Sequence, residues 1–263
     1  MKAQPRGRLG WHAENVRRAW RARASAGDAL RRLRWTYAAR LPFLLPAGEV
    51  EFGVRYPAPL GPLRFRVRGN RGADAFIFSE VFEERCYAFT LPWIPESVLD
   101  LGANIGFTSV FFSRCWPRAR IAAVEPMPGN LELLRRNLAL NRVDAEIIEG
   151  AVSAQDGELR MADGGHDYAH HVADDGMAVR GYRMDTLLAR LGWSGVDLLK
   201  VDIEGEEVRL LGQDADWLRR VNALCVEWHG PGGAEALGSL ARRQGYAPPR
   251  FERGLWLLSR ERR

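Results

Sequence analysis

The chain has 263 residues, of which 46% are hydrophobic and 27% charged, a composition typical of a globular protein with a substantial core. Its net charge of +5 is uneven, because residues 1–45 carry eleven Lys or Arg against Glu14 and Asp28. No apolar run approaches the roughly 20 residues of a membrane span, and the amino terminus lacks the apolar centre of a secretory signal. Three cysteines without a CxxC pair fit a reduced compartment, so the sequence predicts a cytoplasmic protein that does not enter a membrane.

Residues 1–95 are predicted to form an accessory segment. Apolar residues recur twice at helical spacing, which predicts two amphipathic helices separated at Gly27-Asp28 and ended by Pro42. The residues that share a face are Val16, Trp20 and Ala24 in the first helix and Leu30, Leu33, Tyr37 and Leu41 in the second. Such faces could pair two subunits, so a homodimer is one expectation.

A hairpin and a short helix complete this segment. Apolar residues alternate over residues 50–56 and 63–67, on either side of the turn PAPLGP, which predicts a β-hairpin. The stretch SEVFEERCY favours a short helix, and Pro92 and Pro95 place the boundary at residue 95.

Strands and helices alternate through residues 96–263. The strands read SVLDL, IAAVE, AEIIEGAV, DLLKVD and ALCVEW, with helical stretches after the first, second, fourth and fifth. This alternation predicts an α/β fold with a mostly parallel sheet and helices on both faces. Two more strands in GYAPPRFERGLWLLSR predict an antiparallel hairpin that completes a seven-stranded sheet. The segment GGHDYAHHVADDG, residues 164–176, is predicted to be an irregular loop.

The turn in VLDLGANIGFTS follows the first strand, where such folds hold nucleotide-like cofactors. Its spaced residues are Asp100, Gly102, Asn104 and Gly106, which match neither the G-x-G-x-x-G of dinucleotide-binding turns nor a P-loop. Asn104 tolerates a left-handed backbone in place of a glycine. Because Asp100 would repel a phosphate, a cofactor with a cationic end fits better. S-adenosylmethionine (SAM) carries an ammonium and a sulfonium and no phosphate.

The second strand supports the same cofactor. It ends in Glu125, twenty-five residues after Asp100, where an acid can accept hydrogen bonds from ribose hydroxyls. A ribose-binding acid alone also fits a nicotinamide dinucleotide. Together with Asp100 and the missing third-position glycine, however, Glu125 favours SAM.

Four blocks of sequence resemble the FkbM family of SAM-dependent methyltransferases. They are DAFIFSEVFEERCY, VLDLGANIGFTS through VEPMPGNLELLRRNLALN, YRMDTLL, and VDLLKVDIEGEEVRLL with CVEWHG, and the basic helices lie outside them. The resemblance implies a class I methyltransferase (Rossmann-like) fold with SAM at the carboxyl end of the first strand. It also implies S-adenosylhomocysteine as product and a small-molecule acceptor, commonly a hydroxyl of a sugar or natural product.

Three further residues are expected to contact the cofactor. Met127 leads out of the second strand and could pack on the adenine ring. Gly150 and Ala151 close the third strand, where the adenine edge should meet the backbone. Plain core packing is the alternative for all three residues.

The catalytic candidates end the last two parallel strands. Lys200 and Asp202 lie two apart in a strand and therefore share a face, which predicts a buried ion pair that is either structural or catalytic. Glu227 and His229 end the next strand, beside Asp202 in the expected strand order. We expect His229 to accept the proton of the acceptor hydroxyl. The alternative is a rim histidine that binds backbone.

Four residues are candidates for the acceptor side. Glu204 lies near the mouth, and His170 belongs to the 164–176 loop that is interpreted as a lid. Asp74 and Tyr87 fall where the family pattern has an acid and a tyrosine, and core packing is the alternative for Tyr87. The His and Asp residues of the loop lack the spacing of a known metal site, so no metal is expected.

Two other functions stay open at this point. A basic front segment is also what an RNA methyltransferase would need. The fourth strand, however, ends in DIEG rather than (D/N)PP(Y/F), which argues against a nucleic-acid substrate. The third function is a non-catalytic SAM-binding scaffold that docks on a partner through residues 1–45.

Overall fold

The computed structural model describes residues 8–38, 48–69, 72–163, 170–172, 176–212 and 216–261. The front segment consists of α1 (Arg8–Arg21), α2 (Ala26–Ala38), β1 (Val50–Arg55), β2 (Pro62–Val67) and α3 (Ala73–Phe78), which continues into a π-helical turn over Ser79–Glu84. The predicted hairpin is confirmed, because β1 and β2 pair antiparallel with Phe52 opposite Phe65. The predicted short helix corresponds to the π-helical turn.

The two front helices bury a different face from the expected one. Val16, Trp20 and Leu30 are exposed, whereas Ala19, Ala29 and Trp35 are buried, with the ring of Trp35 centred 5.3 Å from that of Phe52. Small alanines face inward because α2 lies directly on β1. Asp28 lies inside α2 instead of separating the helices. Its carboxylate accepts hydrogen bonds from the hydroxyl of Ser25 and the amide of Gly53.

The second part of the chain carries the other strands and helices. The strands are β3 (Ser97–Leu101), β4 (Arg120–Glu125), β5 (Ala145–Glu149), β6 (Ala151–Val152), β7 (Gly157–Asp163), β8 (His170–Val172), β9 (Met177–Tyr182), β10 (Val196–Val201), β11 (Val221–Val226), β12 (Arg250–Glu252) and β13 (Leu255–Ser259). The helices are α4 (Phe107–Cys115), α5 (Pro128–Leu140), α6 (Met184–Arg190), α7 (Glu207–Leu211) and α8 (Gly233–Gln244).

The central sheet has seven strands in the order β12-β13-β11-β10-β3-β4-β5. The strands β3, β4, β5, β10 and β11 run parallel, and β13 lies antiparallel between β11 and β12. This is the mostly parallel sheet with an antiparallel hairpin that the alternation of elements predicts, and it agrees with the class I methyltransferase fold that the resemblance implies. The carboxyl ends of the five parallel strands meet at one edge, where open α/β sheets bind ligands.

A second sheet, in the order β6-β9-β7-β8, departs from the prediction. The stretch AEIIEGAV is not one strand, because Gly150, at φ +149°, ends β5 and sends β6 into the second sheet. Residues 170–172, expected to be part of an irregular loop, form β8 and pair with β7. The rest of the predicted lid, residues 164–169 and 173–175, lies outside the described residues.

Hydrophobic layers cover both faces of the central sheet. Val98 and Phe111 belong to one layer, which is continuous with the front segment through Phe65 and Phe107, whose rings are centred 5.1 Å apart. Leu99, the next residue of β3 after Val98, belongs to the opposite layer. Among the described residues there is no helix with the length and apolar character to cross a bilayer.

Candidate active site

A cavity of about 270 Å³ opens at the carboxyl edge of the central sheet. The loops after β3, β4 and β5 line one part of it, and the loops after β10 and β11 line another. The front segment, Met161 of β7 and the turn between β12 and β13 contribute the remaining lining. Every parallel strand therefore delivers residues to this cavity, as the sequence predicts.

The turn after β3 approaches the neighbouring chain too closely for larger residues. Gly102 has φ +77°, and a Cβ atom there would lie 1.9 Å from the carbonyl oxygen of Asp202. Asn104 has φ +49°, so the predicted left-handed asparagine is confirmed. Gly106 does not line the cavity. It begins α4 at φ +89°, and an added Cβ would meet Leu134 at 2.7 Å, so a glycine at this position lets α4 pack closely against α5.

Asp100 is fully buried behind this turn and does not line the cavity. Its Oδ2 accepts hydrogen bonds from the hydroxyls of Thr108 at 2.6 Å and Ser109 at 2.7 Å, and its Oδ1 lies 3.1 Å from Nζ of Lys200. The expectation that Asp100 meets the cationic end of a cofactor directly is therefore corrected. Because the negative charge of Asp100 is already paired with the ammonium of Lys200, Asp100 influences the cavity through Lys200.

Glu125 lines the cavity at the end of β4 and is held by three donors. Its carboxylate accepts hydrogen bonds from the amides of Asn104 at 2.8 Å and Met127 at 2.9 Å, and from the side chain of Asn130 at 3.0 Å. Burial raises the pKa of Glu125, and the three donors offset only part of this rise. A carboxylate offers about four acceptor positions, so one stays open for a further donor such as a hydroxyl.

The groups near this turn fit a ligand that donates hydrogen bonds. Among the described residues, Oδ1 of Asn104 is buried and has no hydrogen-bond partner, although Asn104 itself lines the cavity. Met127, Gly150 and Ala151 line the cavity as well. A Cβ at Gly150 would lie 2.4 Å from the carbonyl oxygen of Arg180, so there is no room for a side chain at this position. Unfilled acceptors beside an apolar surface suit SAM, which carries an ammonium, ribose hydroxyls and an adenine ring.

Lys200 links the turn to the catalytic side of the cavity. Its ammonium lies 3.3 Å from Oδ2 of Asp202, so the predicted ion pair exists, and it donates a 2.7 Å hydrogen bond to the carbonyl of Gly102. Burial alone would lower the pKa of Lys200, but Asp100 and Asp202 outweigh it and hold this pKa above its usual value. Lys200 is therefore a buried cation.

Two further carboxylates face the same side. Burial raises the pKa of Glu204 to about 7, with the nearby charge of Asp202 adding to the shift. Burial and the charges of Asp202 and Glu80 raise the pKa of Glu227 to about 8. The carboxylate of Glu227 forms no hydrogen bond or ion pair with another described residue. Glu204 and Glu227 are thus close to their titration points at neutral pH.

His229 lies between two carboxylates. Its Nδ1 is 3.1 Å from Oε1 of Glu207, and its Nε2 is 3.5 Å from Oε2 of Glu204. The hydrogen bond with Glu207 raises the pKa of His229 to about 9, and the charges of Glu207, Asp202 and Glu204 act in the same direction. Asp202, Glu204 and His229 have atoms close enough to share a cation.

Only one of the two front-segment residues that were expected on the acceptor side lines the cavity. Tyr87 is buried and lines the cavity, but Asp74 does not. The carboxylate of Asp74 binds the guanidinium of Arg68 at 2.9 Å, and Arg68 also reaches the side-chain oxygen of Asn130 at 2.8 Å. The acceptor role expected for Asp74 is therefore corrected to a structural one. The side chain of His170 lies outside the described residues.

Several cavity residues are absent from the predicted set. Phe76 and Glu80 come from α3 and the π-helical turn, and Arg253 comes from the turn between β12 and β13. Glu207, which begins α7 and holds His229, is also absent from the predicted set, although it lies behind the lining rather than in it. An acid at a helix start is common because it suits the helix dipole, so the sequence carried no particular signal for Glu207.

Comparison with known proteins gives one family. The model described as "Methyltransferase FkbM domain" matches residues 100–248. Methyltransferase sdnD of Sordaria araneosa is 30% identical over 197 residues, which cover 60% of this chain and 76% of that protein. The 31-O-demethyl-FK506 methyltransferase FkbM of Streptomyces tacrolimicus is 28% identical over 204 residues, which cover 63% of this chain and 78% of that protein.

Solved structures show weaker similarity. A structure of methyltransferase FkbM from Methylobacillus flagellatus has a TM-score of 0.47 at 13% identity and covers 95% of this chain and 59% of that chain. Fibrillarin from Aeropyrum pernix with bound SAM has a TM-score of 0.44 at 15% identity and covers 79% of this chain and 81% of that chain.

Proposed function

Because the chain belongs to the FkbM family of SAM-dependent methyltransferases, we propose that it methylates a hydroxyl of a small sugar or natural-product acceptor. One observation carries the proposal. In a single cavity, the turn of Gly102 and Asn104 and the carboxylate of Glu125 are brought together with Asp202, Glu227 and His229. The first group suits the cofactor, and the second suits an acceptor that must lose a proton.

The residues proposed to bind the cofactor act mainly by holding SAM in a fixed orientation. Glu125 and Asn104 would hold hydrogen-bond donors of SAM, while Met127 and the backbone of Gly150 and Ala151 would contact its adenine. Bound SAM supplies a methyl carbon whose bond to the sulfonium breaks as an acceptor oxygen attacks it. Fixed orientation of two reactants is worth about 7–11 kcal/mol of such a barrier.

The catalytic residues act on the acceptor proton. The hydroxyl proton passes to Nε2 of His229, and the oxygen keeps the electron pair that forms the new bond to carbon. Proton removal of this kind contributes roughly 10²–10⁴-fold. Because the pKa of His229 is about 9 in the protein without cofactor, only a minor neutral fraction accepts protons at neutral pH. Glu227, with a pKa of about 8 and no ion-pair partner among the described residues, is the second candidate for this role.

The cavity lining favours an uncharged acceptor with an apolar body. Phe76, Ile77 and Leu255 supply apolar surface to the lining. The negative charge of Glu80 would repel a phosphate or carboxylate placed beside it, whereas a neutral hydroxyl can donate a hydrogen bond to the carboxyl group of Glu227.

The two rival functions gain less support. Several arginines of the front helices are engaged within the chain and are less available for phosphates: Arg18 binds Glu83 at 2.9 Å, Arg31 binds Asp28 at 2.6 Å, and Arg32 also binds Glu83. This argues against an RNA substrate. Two carboxylates with pKa values of about 7 and about 8 in the cavity argue against a site without catalysis.

A labelling experiment tests the proposal. The protein is incubated with methyl-labelled SAM and separate pools of sugars, hydroxylated polyketide-like alcohols, matched deoxy analogues and short RNA. We expect label in a hydroxylated pool only, reduced in His229→Gln and retained in His12→Gln, whose imidazole binds Tyr37 in the front segment. Label in RNA would favour the first rival. Calorimetric binding of SAM without transfer to any pool would favour the scaffold.

A further inference from the structure

Glu207 is a fully buried carboxylate beside the cavity that the reaction as outlined does not use. Its Oε1 accepts a hydrogen bond from the amide of Ile203 at 3.0 Å, and its Oε2 accepts one from the amide of Gly205 at 3.1 Å. These amides belong to the loop after β10, on which Glu204 lies. Glu207 therefore fixes the segment that carries a cavity carboxylate.

The same carboxylate binds His229, which lies in the segment after β11, the neighbour of β10 in the sheet. Oε1 is 3.1 Å from Nδ1 of the imidazole, and Oε2 accepts a 3.4 Å hydrogen bond from the backbone amide of His229. Burial alone would raise the pKa of Glu207. The hydrogen bonds from His229 and from the loop amides outweigh burial, so the pKa is lowered and the group stays ionised.

The ionised carboxylate of Glu207, which binds Nδ1, determines which ring nitrogen of the neutral imidazole keeps the proton and leaves Nε2 to face the cavity. Nδ1 keeps its proton for Glu207, because a carboxylate without a proton can only accept. Nε2 points away from Glu207, toward Glu204 at 3.5 Å and the cavity. The other charged groups that act on this imidazole are Asp202, on the loop after β10, and Glu227, on the same segment after β11.

We propose that Glu207 is a positioning residue that holds His229 in the tautomer with a proton on Nδ1, so that Nε2 alone exchanges a proton with the acceptor. This assignment rests on the proposed function of His229 as the proton acceptor. A carboxylate that orients a histidine in this way is a recurrent device, because it fixes the ring and stabilises the imidazolium that forms.

Nuclear magnetic resonance of the histidine side chains tests the proposal without an acceptor. The chain has five histidines, and the signal that His229→Gln removes identifies His229. In Glu207→Gln we expect the pKa of His229 to fall by at least one unit toward its ordinary value. Glu206→Gln is the matched control, because Glu206 is the preceding residue and pairs with Arg209 rather than with His229. An unchanged titration in folded Glu207→Gln, or an equal fall in Glu206→Gln, would overturn the proposal.

A second measurement uses the unmodified protein, in case Glu207→Gln does not fold. At pH 10 most of His229 is neutral, and the ¹⁵N shifts of its ring show which nitrogen carries the proton. We expect the Nδ1–H form. The Nε2–H form would overturn the proposal even if the protein methylates hydroxyls. Conversely, the Nδ1–H form in a protein that fails to bind SAM would leave the Glu207–His229 pair established and the proposed function wrong.

Discussion

The ammonium of Lys200 lies 3.1 Å from the carboxylate of Asp100, and both side chains are almost completely removed from solvent. The register places the two residues directly opposite each other on the neighbouring strands β10 and β3. This pair connects the loop of Gly102 with Asp202, and it satisfies both charges inside the sheet edge.

Replacing Lys200 by Met should destabilise the protein strongly, because Asp100 would remain as a buried charge without its counter-ion. Breaking such a pair costs about 3–5 kcal/mol. We expect the double variant Lys200→Met/Asp100→Asn to recover part of this loss. Urea unfolding measures both. Arg209→Met, which removes an exposed pair with Glu206, should cost less than about 1 kcal/mol. A similarly small loss for Lys200→Met would show that the buried pair contributes little.

Gly102→Ala should abolish cofactor binding or destabilise the fold. The added Cβ would lie 1.9 Å from the carbonyl oxygen of Asp202, and the residue has φ +77°, so the loops after β3 and β10 would have to separate. Calorimetry with SAM and thermal unfolding measure the two effects. Gly129→Ala, in open space at the start of α5, is the control and should keep normal SAM affinity without lowering the unfolding temperature. Normal SAM affinity in Gly102→Ala would contradict the placement of this turn.

Glu125→Ala should weaken SAM binding tenfold or more, or about 1.4 kcal/mol. The change removes the acceptor position left open for the cofactor, and it releases the amide of Asn104 that Glu125 holds. Calorimetric titration with SAM and S-adenosylhomocysteine measures the loss. Glu149→Ala is the matched control, since Glu149 lies opposite Glu125 on β5 and its side chain is exposed. Unchanged affinity from folded Glu125→Ala would mean that the turn after β3 holds a different ligand.

The rate of methyl transfer should rise with pH through the neutral range. The proposed base is neutral His229, and the pKa of its imidazolium is about 9, so each pH unit below this value lowers the reactive fraction about tenfold. The log of kcat/KM against pH should therefore climb and then level off toward pH 9. In His229→Gln the rate should be lower and the slope should disappear.

If Glu227 rather than His229 is the base, the same experiment gives a different dependence of kcat/KM on pH. A carboxylate base with a pKa of about 8 would also produce a rising profile, but one that levels off about a unit earlier. That profile should survive in His229→Gln and vanish in Glu227→Gln. A profile of this kind would transfer the role of proton acceptor from His229 to Glu227.

The sequence by itself determined the parallel strands and terminal hairpin of the central sheet and the position of the ligand edge, but not the second sheet of β6 to β9. These follow from local patterns: the apolar period of each strand, the glycines and left-handed Asn104 of the turn, and the hairpin around Arg253 and Gly254. Strand order then places Asp202 beside Glu227, because the ends of adjacent parallel strands meet at one edge.

Only the tertiary structure decided which of these side chains face the cavity and with what charge. Asp100 turns inward to Lys200, Asp74 turns to Arg68, and Glu207 reaches His229 from the start of α7. A sequence pattern assigns a residue to an element, but it does not give the packing that orients each side chain. The protonation of His229 is set by buried carboxylates on other elements, since desolvation and short-range charge depend on distances that only the folded chain defines.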